Sequence, residues 1–237
     1  MASYFISFVL AVVIMATAQG PAVEPLAPNA AALNDQPEQT AVIEQTATSV
    51  PRDLSAEESA ILNTHYWDEW VGDSLAVWVS VDEQMFRIVE DRKVLWEAPC
   101  ATAEKGTGFI TNSMQTPLGW HSVKRKVGDD APWGQVFKGA QPINRVWKPG
   151  DETDEDLVLT RLLWLTGEEP GVNQGGNVDS YNRYIYIHGT NDEERIGTPS
   201  SHGCVRLRND DVIEVYELIP LNARVLITET KTNRTEE

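Results

Sequence analysis

The sequence predicts a mainly β fold with one or two short helices, in one domain with appendages. Most apolar residues after position 74 fall in short segments rich in β-branched and aromatic residues, which favour strands. Only two segments carry helix signals. A chain of 237 residues with 41% apolar residues and eight tryptophans is long enough for one hydrophobic core and short for two large domains.

Residues 1–18 have the pattern of a secretory signal. An apolar stretch covers residues 4–18 and ends in Ala16-Thr17-Ala18, a small-residue cleavage pattern. The basic segment that usually precedes such a stretch is missing, because no Lys or Arg occurs before Arg52. An uncleaved membrane anchor remains an alternative, although the stretch is shorter than the ~20 residues of a spanning helix. The pattern predicts export.

Residues 19–52 are predicted to form a disordered tether. The segment is rich in Pro, Ala, Gln, Thr and Glu and has no aromatic residue, so it cannot bury enough apolar surface to fold. Residues 53–71 follow as a short helical lead-in, because Ser55 and Glu58 have capping-box spacing ahead of apolar residues. Residues 231–237 are a polar tail.

Residues 72–230 are predicted to be the functional domain. Its strand candidates are residues 75–81, 85–89, 93–96, 120–127, 157–165, 184–188 and 225–228. One later helix is expected, with Asn209 as N-cap and two aspartates in its first turn. Its apolar stripe consists of Val212, Val215, Tyr216 and Ile219.

The charge of the chain excludes one class of partner. The formal net charge is −17 and the isoelectric point is near 4.6. Binding to nucleic-acid phosphates needs a basic face, which this composition does not supply. We therefore expect no nucleic-acid partner.

Residues with catalytic potential are concentrated between positions 184 and 207. In the predicted strand 184–188, alternation places Tyr184, Tyr186 and His188 on one face and the two intervening isoleucines on the other. If the isoleucines face the core, His188 lies at the strand end on the opposite surface, next to Gly189. This is a suitable position for a reactive side chain.

A cysteine follows after a loop, in the run Ser201-His202-Gly203-Cys204. The glycine lets the backbone approach a substrate, and an N–H there is placed to bind a developing oxyanion. A thiol with an ordinary pKa of about 8.5 needs a base at neutral pH, and His188 and His202 are both candidates. The pattern predicts an activated Cys204 that reacts well below its ordinary pKa.

The order of these motifs resembles the catalytic domain of the L,D-transpeptidases, whose signature is His-Gly followed by Ser/Thr-His-Gly-Cys. Here His188-Gly189 precedes Ser201-His202-Gly203-Cys204. The run Thr116-Pro117-Leu118-Gly119 matches the family's upstream Thr-Pro-x-Gly element, and the resemblance covers about residues 74–228. Many members have Asn two residues after the cysteine, where this chain has Arg206. That difference concerns substrate contacts and not the nucleophile.

The resemblance implies a β-sandwich or barrel-like fold, no cofactor, and a location in the periplasm or cell envelope. Cys204 would attack the carbonyl after the third residue of a peptidoglycan tetrapeptide stem, D-alanine would leave, and a thioester would remain. The partner that resolves it would be an amine of a second stem peptide, of an envelope protein or of a free D-amino acid. Water would give L,D-carboxypeptidase activity instead.

The resemblance also implies roles for individual residues. His188 would be the general base, the backbone from His202 to Cys204 the oxyanion hole, and Ser201 would orient the loop and His202. Arg206 would hold a substrate carboxylate or form a surface ion pair. The implied catalytic set is Cys204, His188, Gly189, His202, Gly203 and Ser201. The implied substrate-binding set is Arg206, Tyr186 and His121, of which the last two serve either the groove or packing.

Several alternatives stay open at this stage. Cys204 could be inert, or form a disulfide with Cys100. The pair His188 and His202 could bind zinc together with Cys204. The acidic run 151–156 is expected to be a solvated loop, and a catalytically silent wall-binding domain would keep the same fold. No Ser-x-x-Lys or Gly-x-Ser-x-Gly motif occurs, which removes the usual serine nucleophiles.

Overall fold

The computed structural model describes residue 47 and residues 50–230. The predicted signal at 1–18, most of the tether at 19–52 and the polar tail at 231–237 lie outside the described residues. Within the described part of the chain, no helix has both the length and the apolar character needed to cross a bilayer.

The structure confirms a mainly β fold with short helices. The strands are β1 (Arg52–Asp53), β2 (Ala76–Ser80), β3 (Met85–Glu90), β4 (Lys93–Pro99), β5 (Gly119–Val127), β6 (Gln135–Lys138), β7 (Gln141–Val146), β8 (Val158–Gly167), β9 (Tyr186–Gly189), β10 (Val205–Leu207) and β11 (Arg224–Thr228). The helices are α1 (Ala56–Thr64), α2 (Trp67–Trp70) and α3 (Asn209–Leu218). Each strand candidate named from the sequence overlaps one of these strands, whereas β1, β6, β7 and β10 were not predicted.

Hydrogen-bonded pairing joins all eleven strands in one mixed sheet. The main path is β1-β4-β3-β2-β11-β5-β8-β6-β7, and β9 branches from β8 and carries β10. The pairs β2–β11 and β9–β10 are parallel. The branch formed by β8, β9 and β10 brings the two signature segments side by side.

The helical lead-in begins as the sequence predicts, but the tether ends earlier. Ser55 Oγ accepts the Glu58 N–H at 3.1 Å and Glu58 Oε2 accepts the Ser55 N–H at 2.7 Å, which is a capping box. The sequence analysis assigned Arg52 to the tether, yet Arg52 lies in β1 and pairs with Val94 of β4. Its guanidinium also lies 2.8 Å from the carboxylates of Glu58 and Glu97, so Arg52 belongs to the folded domain.

Asn209 does not cap helix α3 as predicted. Arg208 is the N-cap, and Asn209 is the first helical residue. The Asn209 side chain instead donates to the Thr190 carbonyl at 2.7 Å and accepts from Thr160 Oγ1 at 2.5 Å. The Asn209 N–H, which has no partner within the helix, donates to the Glu193 carboxylate at 2.7 Å, and this bond caps the first turn. Asn209 therefore ties α3 to the end of β9.

The predicted apolar stripe of α3 packs in the main core. Its four residues are each 2% exposed or less, and they share a hydrophobic cluster with Ile185, Ile187, Val205 and Leu207. Because side chains alternate along a strand, the other residues of β9 and β10 point away from α3. That opposite face carries the candidate site.

Candidate active site

Strands β9 and β10 place four predicted residues on one face. Val205 pairs with Ile187 and Arg206 pairs with His188. With the apolar partners in the core, Tyr186 and His188 from β9 share the opposite face with Cys204 and Arg206. The pairing of β9 with β10 thus joins two signature segments that are separated in sequence.

Cys204 is partly exposed and directly precedes β10. Its Sγ accepts the N–H of Tyr186 and donates to the carbonyl of Tyr184, each at 3.4 Å. Both cysteines are free thiols, and Cys100 is fully buried in the main core. The disulfide alternative is therefore wrong for this structure.

The resting thiol is not activated, which corrects the expectation from sequence. Burial raises the pKa of the Cys204 thiol to about 12, opposed by the hydrogen bond from the Tyr186 N–H. The charge of Asp156 adds to the effect of burial on this pKa, and the charges of Arg206 and Arg183 oppose it. With its pKa raised this far above the ordinary thiol value of about 8.5, the thiol stays protonated at neutral pH.

His188 has the tautomer of a general base. Its side chain is 2% exposed, and its Nδ1 lies 2.7 Å from the carbonyl oxygen of Gly189. A carbonyl only accepts, so Nδ1 carries the hydrogen and Nε2 keeps its lone pair. Burial lowers the pKa of His188 to about 4, against the raising effect of Asp156, so the ring is neutral.

The thiol and the imidazole lie on the same face, but they are not hydrogen-bonded to each other. Neither hydrogen bond of the Cys204 sulfur goes to His188 within the described residues. Cys204 directly precedes β10, which pairs with β9, so alternation puts the two side chains on the same face. Proton transfer between them would require the thiol to rotate away from the Tyr184 carbonyl, a rearrangement common in unliganded sites.

Gly189 is required because the space beside it is filled. A Cβ at this position would lie 2.4 Å from Oδ1 of Asn209 and 3.0 Å from the carbonyl oxygen of Leu159. Any side chain would push α3 or β8 away from the end of β9. Gly189 thereby lets the His188 strand end pack tightly against α3.

We expect Gly189→Ala to lower the free energy of unfolding by about 1–3 kcal/mol, because the new methyl group overpacks a filled site. Urea unfolding measures this loss. Gly139→Asn is the control, since Gly139 has open space around it and a φ of +58°. Asn tolerates that backbone conformation, so the control should change the free energy of unfolding by less than about 0.5 kcal/mol. Equal stability of Gly189→Ala and wild type would contradict the packing argument.

Ser201 and Gly203 shape the turn before the cysteine. Ser201 Oγ donates to the Cys204 carbonyl at 2.6 Å and accepts the Gly203 N–H at 3.1 Å. Gly203 has a φ of +125°, a conformation that favours glycine. Its carbonyl accepts from Thr116 Oγ1 at 3.1 Å, so the upstream Thr-Pro element supports this turn.

His202 contacts Asp156 and not the thiol within the described residues. Its side chain is 59% exposed, and Nδ1 lies 2.7 Å from Oδ2 of Asp156. Of the two histidines named as candidate bases, only His188 shares the face of Cys204. Within the described residues, no three His, Cys, Asp or Glu side chains converge as metal ligands, so the structure does not assemble the set that the zinc alternative needs.

Asp156 and Arg206 differ from their predicted roles. Asp156 was assigned to a solvated acidic loop, but its carboxylate forms an ion pair with Arg206 and accepts from His202. Arg206 is only 2% exposed and also lies 3.3 Å from Oδ2 of Asp192. Arg206 therefore does not form a weak ion pair at the surface. Its guanidinium is also not free to hold a substrate carboxylate. The adjoining cleft of about 330 Å³ is lined by five acidic residues of eleven, together with two arginines and His202.

Tyr186 and His121 are packing residues in this structure. Tyr186 is 5% exposed and packs edge-on against Trp164, with ring centroids 5.3 Å apart. His121 has no exposed surface. Its two ring nitrogens lie 3.0 Å from the Gly119 carbonyl and 3.0 Å from Ser180 Oγ. The sequence left two roles open for these residues, lining the groove or packing, and the structure supports packing for both.

Two charged residues of the site were missed by sequence analysis. Asp156 acts electrostatically on both Cys204 and His188, and Arg183 acts on Cys204. Asp156 is the last charge of the acidic run before β8, and that position was its only signal. Arg183 comes shortly before β9 and carried no motif.

We expect the resting Cys204 thiol to react with iodoacetamide at least about tenfold more slowly than free cysteine at about pH 8. The reason is its raised pKa, since the thiolate fraction falls about tenfold for each unit of pKa. Peptide mapping by mass spectrometry separates Cys204 from the buried Cys100. Alkylation faster than that of free cysteine would show a preformed thiolate and would contradict this charge assignment.

Comparison with known proteins agrees with the predicted resemblance. A family model described as the YkuD L,D-transpeptidase catalytic domain matches residues 74–227. Over 47 residues the chain is 51% identical to YqjB of Bacillus subtilis (strain 168), covering 20% of this chain and 27% of YqjB. Over 55 residues it is 44% identical to YbiS of Escherichia coli (strain K12), covering 23% of this chain and 18% of YbiS. Both names describe L,D-transpeptidases, and the matched part of the chain spans less than a third of either protein.

One solved structure with a similar fold is an L,D-transpeptidase from Mycobacterium smegmatis. It is 16% identical with a TM-score of 0.42, and the match covers 65% of this chain and 58% of that one. This similarity is low. The match of the family model across the sheet and the site is the stronger finding.

Proposed function

Because the chain belongs to the YkuD family of L,D-transpeptidase catalytic domains, we propose that it is an L,D-transpeptidase with Cys204 as nucleophile and His188 as general base. One observation carries the proposal: His188 shares the face of Cys204, and its Nδ1 is committed to the Gly189 carbonyl. Its Nε2 therefore keeps a lone pair for the thiol proton. The proposed donor is a peptidoglycan tetrapeptide stem.

Acylation follows from this arrangement. His188 Nε2 takes the thiol proton, and the sulfur adds to the carbonyl carbon between the third and fourth stem residues. The Gly203 N–H is already bound to Ser201, so we assign the oxyanion to the N–H of Cys204. The carbon–nitrogen bond then breaks, the leaving D-alanine amine takes the proton from His188, and a thioester remains.

Deacylation reverses the proton path. An acceptor amine adds to the thioester carbonyl and gives a proton to His188. The carbon–sulfur bond breaks, and the Cys204 sulfur recovers the proton from His188. A stem amine gives a 3-3 cross-link, a protein ε-amine gives anchoring, a free D-amino acid gives exchange, and water gives carboxypeptidase activity.

Charge complementarity supports the ionised intermediate. When the proton moves, Cys204 becomes negative and His188 becomes positive. Asp156 raises the pKa of His188, against the larger opposing effect of burial, and so favours the imidazolium. Because the resting pair is neutral, we propose that substrate binding and thiol rotation bring about this proton transfer.

Location in the periplasm or cell envelope is part of the same proposal. The apolar segment at 1–18 with its Ala-Thr-Ala ending supports export. Peptidoglycan lies outside the cytoplasmic membrane, so an enzyme that acts on it has to be exported. Amino-terminal sequencing of the protein recovered from the envelope tests whether cleavage occurs after Ala18.

The test of function is incubation of residues 19–237 with tetrapeptide muropeptides, with products read by mass spectrometry. Cross-linked dimers or acceptor adducts with loss of D-alanine are expected. Tripeptides alone would identify the carboxypeptidase alternative. An unchanged substrate, with no thioester on intact protein, would favour the silent wall-binding alternative. Cys204→Ala is the control in each incubation.

A further inference from the structure

The side chain of Arg183 holds both arms of one loop beside the thiol. The loop of residues 107–116 is closed at its base by pairing of Thr107 with Thr116. Arg183 lies in the segment before β9, and its guanidinium donates to the carbonyls of Gly108 at 3.1 Å and Gln115 at 2.7 Å. One planar group thus joins the two arms of the loop.

That loop supports the backbone that carries Cys204. The Gln115 carbonyl oxygen lies 3.2 Å from the position of a Cβ on Gly203. The next residue, Thr116, donates its hydroxyl to the Gly203 carbonyl at 3.1 Å. A shift of the loop would therefore move the turn before the thiol, and Arg183 limits that shift.

The positive charge of Arg183 has no carboxylate partner. Its guanidinium donates to the Gly108 and Gln115 carbonyls and, at a longer 3.4 Å, to Ser113 Oγ, and no ion pair of Arg183 occurs within the described residues. Arg206, by contrast, contacts the carboxylates of Asp156 and Asp192. Burial lowers the pKa of Arg183, and the charge of Cys204 acts on it in the opposite direction. This partly buried cation is therefore not neutralised by an ion pair, and it interacts electrostatically with the sulfur.

We propose that Arg183 is a positioning residue for the thiolate: it fixes the 107–116 loop against Gly203, and its charge balances the negative charge that Cys204 acquires. The charges then alternate in sign through Arg183, Cys204, His188 and Asp156. An alternating series stabilises the ionised pair more than the neutral one. The inference rests on the proposed nucleophile, but its first test needs no peptidoglycan.

The test compares Arg183→Gln with Arg183→Lys by the rate of iodoacetamide alkylation at Cys204. We expect Arg183→Gln to slow alkylation about tenfold, which corresponds to one unit of thiol pKa. Arg183→Lys keeps the charge but not the planar fork, so alkylation should fall less than about threefold. With a stem-peptide donor, the same order should appear in kcat with little change in KM, because the charge acts on the ionised sulfur.

The matched control is Arg161→Gln. Arg161 also donates to two backbone carbonyls, those of Ala131 and Thr160, each at 2.7 Å. The alkylation rate of Arg161→Gln should stay within about twofold of wild type, because the charges that act most strongly on the thiol are those of Asp156, Arg206 and Arg183. Wild-type alkylation in Arg183→Gln, or an equal loss in Arg183→Gln and Arg183→Lys, would overturn the inference. Altered alkylation without any turnover would leave the inference standing and reject the proposed function instead.

Discussion

Cys204→Ala is expected to lower transpeptidation by at least about 10³-fold, because the proposed thioester cannot form without the Cys204 thiol. The side chain is partly exposed and only packs against one small hydrophobic cluster, so folding should be preserved. Two measurements check the result: the rate of D-alanine release, and the intact mass of the enzyme after exposure to donor. Wild type should gain the mass of the acyl group, and the variant should gain none.

Cys100→Ala is the control for removal of a thiol. Cys100 is fully buried in the main core, and its removal leaves only a small cavity that costs about 1 kcal/mol. Acylation should persist in this variant. Loss of the adduct in Cys100→Ala together with its retention in Cys204→Ala would show that the nucleophile has been assigned to the wrong cysteine.

Sequence patterns located the long strands and missed the short or exposed ones. Strand β8 has ten residues with a strong apolar signal, whereas β10 has only three residues and is part of the signature. Strand β7 is an exposed edge, and its residues are mostly polar or solvent-facing. Short edge strands depend on pairing with distant segments, which local composition does not report.

The candidate site was predictable where its chemistry depends on neighbours in sequence. Ser201 and Gly203 shape the turn at Cys204 through contacts within three residues. The ion pair of Asp156 with Arg206 joins residues on separate segments, so neither partner indicated the other. The sign of the thiol pKa shift was also missed, because burial by the whole fold outweighs the nearby hydrogen bond and cations.

His188→Gln is expected to lower the acylation rate by about 10²–10⁴-fold, the usual loss on removal of a general base. Glutamine can still donate to the Gly189 carbonyl, but it has no basic lone pair to accept the thiol proton. Stopped-flow measurement of thioester formation gives the rate, and urea unfolding checks that the variant is folded. An unchanged acylation rate in a folded His188→Gln variant would remove His188 from the mechanism.

The pH profile of wild type tests the same assignment independently. The reactive ion pair and the resting neutral pair hold the same number of protons, so their ratio does not change with pH between the two pKa values. With a pKa of about 4 for His188 and of about 12 for Cys204, kcat/KM should be flat through neutral pH. It should fall as pH drops through about 4, because the imidazole is then already protonated.

The matched control for His188 is His202→Gln. The exposed His202 ring contacts Asp156 and not the thiol, so this variant should keep acylation within about tenfold of wild type. It should also keep the flat profile, since the neutral Cys204–His188 pair is unchanged. A large loss in His202→Gln with near-normal rates in His188→Gln would assign the base to His202. That result would also require the loop from Asn191 to Ser200 to rearrange when substrate binds, because the His202 ring is bound to Asp156 and not to the sulfur in this structure.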